Sequence, residues 1–139
     1  MIDFNRVFEL SKWLDNLLRS ERKGFSFLAP SDIPSEGGIY IISDLSKDQE
    51  EFVYVGQSSN LSQRLYTNQL QGDHAASQIK NALVHFNRTK DLSAAKDYLM
   101  KNCAVRIDVV PDYREREMRE GFAKAILKPE FALYKSKEH

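Results

Sequence analysis

Apolar residues recur at helical spacing near the start of the chain. Phe4, Val7, Phe8, Leu14, Leu17 and Leu18 form one wide stripe, which predicts an amphipathic helix over residues 3–20. Asp3 is placed to cap its first turn, and Gly24 closes the charged stretch beyond it. Residues 25–36 carry Pro30 and Pro34 and read as an ordered connection. The pattern then changes period. Residues 37–43 (Gly-Gly-Ile-Tyr-Ile-Ile-Ser) and 52–56 (Phe-Val-Tyr-Val-Gly) are rich in β-branched and aromatic residues. They predict two antiparallel strands joined by the polar loop 44–51.

Helical periodicity returns after the second strand. Asn60, with Gln63 three residues on, predicts a capped helix to about residue 70. Asp73 can cap another, with Ala76, Ile79, Leu83 and Phe86 on one face, and residues 91–101 give a shorter one through Leu92, Ala95 and Leu99. Residues 103–110 alternate, with Cys103, Val105, Ile107 and Val109 on one side and Ala104, Arg106, Asp108 and Val110 on the other, which predicts a half-buried strand. A last helix over 113–127 would turn Met118, Phe122, Ala125 and Ile126 inward and stop at Pro129. The expected class is therefore α+β: a small mixed domain with an antiparallel sheet of about three strands flanked by helices, preceded by an extra N-terminal helix. Residues 1–32 would form that helix and its connection, and 33–139 the main domain.

Composition narrows the class. A chain of 139 residues with 42% hydrophobic and 29% charged residues can bury an ordinary core as one domain. Twenty basic residues balance twenty acidic ones, which excludes a protein that coats nucleic acid by net charge alone. The middle is nevertheless one-sided. Between residues 53 and 106, Arg64, Lys80, Arg88, Lys90, Lys96, Lys101 and Arg106 face only Asp73, Asp91 and Asp97. That is a solvated face or a match for a phosphate backbone. The lone Cys103 excludes an internal disulfide and reads as a small buried hydrophobe. Three scattered histidines, His74, His85 and His139, argue against a His-built metal site. Residues 3–12 are too charged for a signal core, and no apolar run approaches the ~18 residues that span a bilayer. A cytoplasmic protein with no membrane contact is expected.

Tyr40 and Tyr54 lie on the paired strands, where alternation can put both hydroxyls on one face with Gly38 and Gly56. Arg64 follows in the first turns of the next helix. A carboxylate from the last helix would complete a set of phenol, guanidinium and metal ligand. Such groups suit phosphodiester cleavage: Mg²⁺ binds through as little as one carboxylate, and Arg stabilises charge on phosphate. Taken alone, two strand tyrosines and a helical arginine are equally ordinary core and surface residues.

Gly38-Ile39-Tyr40, with Tyr54-Val55-Gly56 starting fourteen residues after Tyr40, resembles the signature of the GIY-YIG nucleases. The run Gln57 to Leu65, the lead-in Ile33-Pro34-Ser35-Glu36-Gly37, and Glu120 set nine residues before Pro129 are similar to further family features. The resemblance covers residues 33–134. It implies a metal-dependent endonuclease that hydrolyses DNA phosphodiester bonds, with Mg²⁺ or Mn²⁺ as cofactor and DNA as partner. In that reading Tyr40 is the general base or orients the attacking water, Tyr54 supports the water network, Arg64 binds the scissile phosphate, and Glu120 is catalytic as the metal ligand. Gly56, Gln57, Asn60 and Asn68 would contact substrate. Glu117 and Glu115 are rivals of Glu120, and Glu117, Glu120 and Lys124 also read as a surface charge ladder. Ala132 stands where the family commonly has Asn, and Asn68 where it often has Tyr or His. The alternative is therefore a weakened or inactive nucleic-acid-binding or protein-interaction module on the same fold. With no second DNA-binding module in view, a partner protein supplying specificity fits either reading, and oligomeric state stays open.

Overall fold

The computed structural model describes residues 1–65 and 78–132. Its elements are α1 (Phe4–Arg19), β1 (Lys23–Gly24), two 3₁₀ turns, β2 (Gly38–Asp44), β3 (Glu51–Ser58), α2 (Gln78–His85), α3 (Leu92–Asn102), β4 (Cys103–Val109) and α4 (Tyr113–Leu127). Residues 61–65 are helical. The predicted helix to residue 70, its neighbour from Asp73, Ala76, and the candidates Asn68 and His74 fall partly or wholly outside the described residues.

Three long strands form as expected, and the two-residue β1 adds a fourth at one edge. The order is β1-β4-β2-β3, with every neighbouring pair antiparallel. β2 is central, and all seven of its residues are buried. One sheet face carries Ile39, Ile41 and Val55, which pack with Leu14 and Leu17 of α1 and Ala123 of α4. The other carries Tyr40 and Ile42, which pack with Leu61 and Leu65, with Ile79 and Leu83 of α2, and with Ala95 and Leu99 of α3. The sheet is thus the middle of three layers. This explains why the first half of β4 departs from the predicted alternation: Cys103–Arg106 are buried on both faces, whereas Ile107 and Asp108 are partly exposed and Val109 is exposed. Cys103 is a buried free thiol, pushed up by burial to about 12, and is chemically quiet.

Three helical stripes differ from the prediction: beside α2, Phe86 is exposed although Ile79 and Leu83 of its predicted face are buried. Asp3 caps α1 through the backbone N–H groups of Asn5 and Arg6. Leu14 and Leu17 are buried, but Phe4, Val7 and Phe8 are exposed. The helix docks through its second half, where Trp13 Nε1 donates to Asp108 at 2.7 Å; its first turns are held by an ion pair, Arg6 to Glu115 at 2.7 Å. Periodicity identifies an apolar stripe but not the length of the surface that receives it. In α4, Met118, Ala125 and Ile126 face solvent, and Phe122 is only partly buried. The inward positions are Arg116, Glu120, Ala123 and Leu127, one turn apart along the helix. Polar residues win that face because the edge of β3 supplies their partners.

A polar clamp closes the far end of β2. The Tyr98 hydroxyl donates to the Asp44 carboxylate, and Arg88 lies 3.6 Å from Asp44 while pairing with Glu130. Burial pushes the Asp44 carboxyl up, but bonds from Ser46 and Tyr98 and the Arg88 charge outweigh it, leaving it below its ordinary 3.8. Glu50, paired with Arg106 at 2.5 Å, is likewise held below 4.5. A depressed carboxylate stabilises the fold above its unfolded pKa, and that stability is lost as pH falls through the folded value. Urea midpoints are therefore expected to hold from neutrality to about pH 5 and drop below about pH 4. Asp44→Asn should flatten part of that acid limb; an unchanged limb would remove Asp44 as its cause.

Candidate active site

The β2–β3 register sets Tyr40 directly opposite Gly56, and Ile42 opposite Tyr54. Both tyrosines therefore leave the sheet on one face, with ring centroids 6.0 Å apart. Gly56 is what permits this. A Cβ there would lie 2.5 Å from both Cζ and the hydroxyl oxygen of Tyr40, and 2.9 Å from Cε1 of Tyr54. Gly38 has a separate duty, since a side chain at that position would overlap the Asp108 carbonyl and Leu61.

The turn after β3 aims the next helical segment back over this face. Asn60 donates its N–H to Ser58 Oγ at 3.0 Å, and its own Oδ1 accepts from the Gln63 N–H at 3.1 Å. That is the expected helix cap. The free N–H groups of Leu61 and Ser62 donate to the carbonyls of Glu36 and Pro34, so the lead-in segment 34–36 completes the helix start. Leu61 and Leu65 are fully buried, and Arg64 between them is carried into the site. Its Nε is buried and has no hydrogen-bond partner among the described residues.

Glu120 reaches the same place from α4 around β3, an edge strand of the sheet. Its side chain is 18% exposed, and Lys124 Nζ lies 3.8 Å from Oε1. Burial raises the Glu120 carboxyl above its ordinary value. Glu117 adds to the rise, while Lys124 and the Gln57 backbone N–H oppose it. Burial also raises the Tyr40 phenol strongly, and the Arg64 charge pulls it back. Tyr54 is raised by burial and by Glu120 and lowered by Arg64 and by its bond from Tyr40. Tyr40, Tyr54, Arg64 and Glu120 thus share one electrostatic neighbourhood, although they come from four separate elements. Of the rivals of Glu120, Glu115 is paired with Arg6 and Arg119.

The remaining candidates are placed differently. Gln57 turns its carboxamide oxygen to Arg116 Nε at 3.0 Å. Asn68 lies outside the described residues. Ala132 sits in the turn after α4, where its N–H donates to Pro129 at 3.0 Å. The basic middle of the chain is only partly a surface. Lys80 and Arg106 are buried, Arg106 pairs with Glu50, and Arg88 pairs with Glu130. Arg116 was not legible as a site residue: within Tyr113–Leu127 it is one charge among many, and only its four-residue spacing to Glu120 hinted at a shared face.

Among the described residues, no group of three or more His, Cys, Asp or Glu could enclose a metal ion, and no helix is long and apolar enough to cross a membrane. A single half-buried carboxylate suits a hard dication that retains most of its waters, and does not suit a tightly caged transition metal. No protein-family model matches the chain, and no curated protein matches it by sequence. Among solved structures the chain is similar to the GIY-YIG N-terminal endonuclease domain of UvrC from Thermotoga maritima, a point mutant bound to its catalytic divalent cation. The identity is 19%, covering 73% of this chain and 88% of that one, with a TM-score of 0.43.

Proposed function

We propose that this chain is a divalent-cation-dependent endonuclease that hydrolyses phosphodiester bonds in DNA. The observation that supports it best is the convergence of two stacked phenols, a guanidinium with an unpartnered buried Nε, and one half-buried carboxylate. Removing a polar atom from water without a partner costs roughly 1–3 kcal/mol, so a site that retains one is suited to receiving an acceptor there. A phosphate oxygen is such an acceptor, and the charge that grows on it in the transition state strengthens the bond.

The residues divide the work as follows. Arg64 binds the scissile phosphate and stabilises its developing charge. The Tyr40 hydroxyl, its ring stacked beside that of Tyr54, orients the attacking water or takes its proton, and Tyr54 carries the partly exposed end of that pair. Glu120 holds Mg²⁺ or Mn²⁺. The bound cation supplies Lewis-acid charge and lowers the pKa of groups beside it. Phenols raised by burial are protonated at neutral pH, so Tyr40 needs that help to act as a base. Asn60 and Gly56 shape the turn along which the substrate backbone would run.

The test is nicking of supercoiled plasmid and of branched oligonucleotides with Mg²⁺, with Mn²⁺ and with EDTA. Cleavage is expected with either metal and not with EDTA, and Arg64→Ala should reduce it by about 10²–10³-fold. A folded protein that binds these substrates but never cuts them would favour the second reading, a binding module. Ala132, at the position where the GIY-YIG nucleases commonly carry Asn, is the feature that favours that reading.

A further inference from the structure

We infer that Arg116 is a positioning residue for the candidate metal site, acting through Gln57 on the Glu120 carboxylate. The inference rests on the endonuclease reading, because it assigns Glu120 the cation.

Arg116 is only 5% exposed, although it lies on a helix whose charged neighbours mostly reach solvent. Its guanidinium is spread over three neutral oxygens: Gln57 Oε1 at 3.0 Å, the Val110 carbonyl at 3.2 Å and the Pro111 carbonyl at 2.8 Å. The Tyr113 ring lies 5.6 Å away. No carboxylate pairs with Arg116 among the described residues. A buried cation held only by neutral acceptors is a poor source of stability, because its lost hydration is not repaid by an opposite charge. What the arrangement does provide is geometry. The planar fork ties α4 to the end of β4 and to β3 at once.

The backbone makes room for it. Gly37 has no side chain, and a Cβ there would overlap Arg116 Nη1 and lie 3.1 Å from Cζ. The Val110 N–H, in turn, donates to the Gly37 carbonyl at 2.9 Å. The glycine just ahead of β2 is therefore part of the Arg116 cradle.

The route to the site is short. Arg116 holds the side chain of Gln57, and this bond fixes α4 against β3 one turn before Glu120. Arg116 and Glu120 are one helical turn apart on the inward face of α4. Groups that orient a metal-binding carboxylate in this way typically change metal affinity by 10–100-fold when removed. Arg116 touches neither substrate nor cation; it sets where Glu120 stands.

The experiment is Mn²⁺ binding to the full chain without substrate, followed by electron paramagnetic resonance well below the unfolding temperature. Wild type is compared with Arg116→Met, Arg116→Lys, Gln57→Ala, the double variant and Glu120→Ala. Glu120→Ala should abolish specific binding. Arg116→Met and Gln57→Ala should each weaken it by about tenfold or more, and the double variant should be no weaker than the worse single. Arg116→Lys should not restore wild-type affinity, since an ammonium cannot span three acceptors. If Glu120→Ala binds as wild type does, the endonuclease assignment of Glu120 fails. If Glu120→Ala loses binding while folded Arg116→Met keeps wild-type affinity, only the positioning role fails. If Arg116→Met weakens binding and Gln57→Ala does not, the route through Gln57 is wrong. A loss confined to melting temperature, with Mn²⁺ affinity unchanged, would leave Arg116 a purely structural residue and overturn the inference.

Discussion

Glu120→Gln is expected to reduce metal-dependent cleavage by about 10³-fold or more while leaving the fold intact. Gln has nearly the same shape, and its carbonyl oxygen still accepts hydrogen bonds. What disappears is the negative charge. The described residues offer no substitute. Glu115 is 2.9 Å from Arg119, and no group of three or more His, Cys, Asp or Glu among the described residues could hold a metal ion. Stability should change little. Burial already disfavours the charged form of Glu120, and the contact to Lys124 is a 3.8 Å pair whose Lys is 36% exposed, worth at most about 1 kcal/mol. The measurement is single-turnover nicking with Mg²⁺ and Mn²⁺ beside a thermal melt. A variant that melts like wild type and cuts within a few-fold of it would show that the cation is held elsewhere.

Gly56→Ala should damage stability and activity together. The added methyl would lie 2.5 Å from the Tyr40 ring and hydroxyl and 2.9 Å from Tyr54. Tyr40 is 1% exposed and packed in the core, so it cannot swing aside. Overpacking of this kind costs about 1–3 kcal/mol. Any relief has to move a phenol, and a displacement of about 1 Å at a reacting group costs roughly 10²-fold in rate. Gly121→Ala is the control. It lies in α4 with nothing within 4 Å of an added Cβ, so it should gain about 0.5–1 kcal/mol from helix propensity. Urea unfolding and nicking rates of the two variants read both effects. A Gly56→Ala protein as stable and active as wild type would mean that the close approach of Tyr40 is not needed.

Much of this arrangement is legible in the sequence. The two β-branched runs around Tyr40 and Tyr54 had one sensible pairing, since a one-residue slip would turn their apolar side chains to the wrong layer. Asn60 and Asp3 announced helix starts because a side-chain acceptor at that position satisfies N–H groups that nothing else reaches. The predictions that failed share a cause. Phe4, Val7 and Phe8, and later Met118 and Ile126, are apolar at helical spacing yet exposed. Periodicity ranks the faces of a helix by hydrophobicity, whereas burial depends on what lies opposite. In α4 the surface opposite is the edge of β3, which presents the Gln57 side chain, and it selects Arg116 over Met118.

The order of the long elements, the antiparallel hairpin and the shared face of the two tyrosines were determined by the sequence alone. These depend on local backbone preferences and on side-chain alternation, which act over a few residues. Two things were decided only by the tertiary structure: the burial of Arg116 against Gly37, and the turning of α4's apolar residues to solvent. Each depends on contacts between residues far apart in the chain. Their free energies come from burial and partner geometry, and no local pattern encodes either.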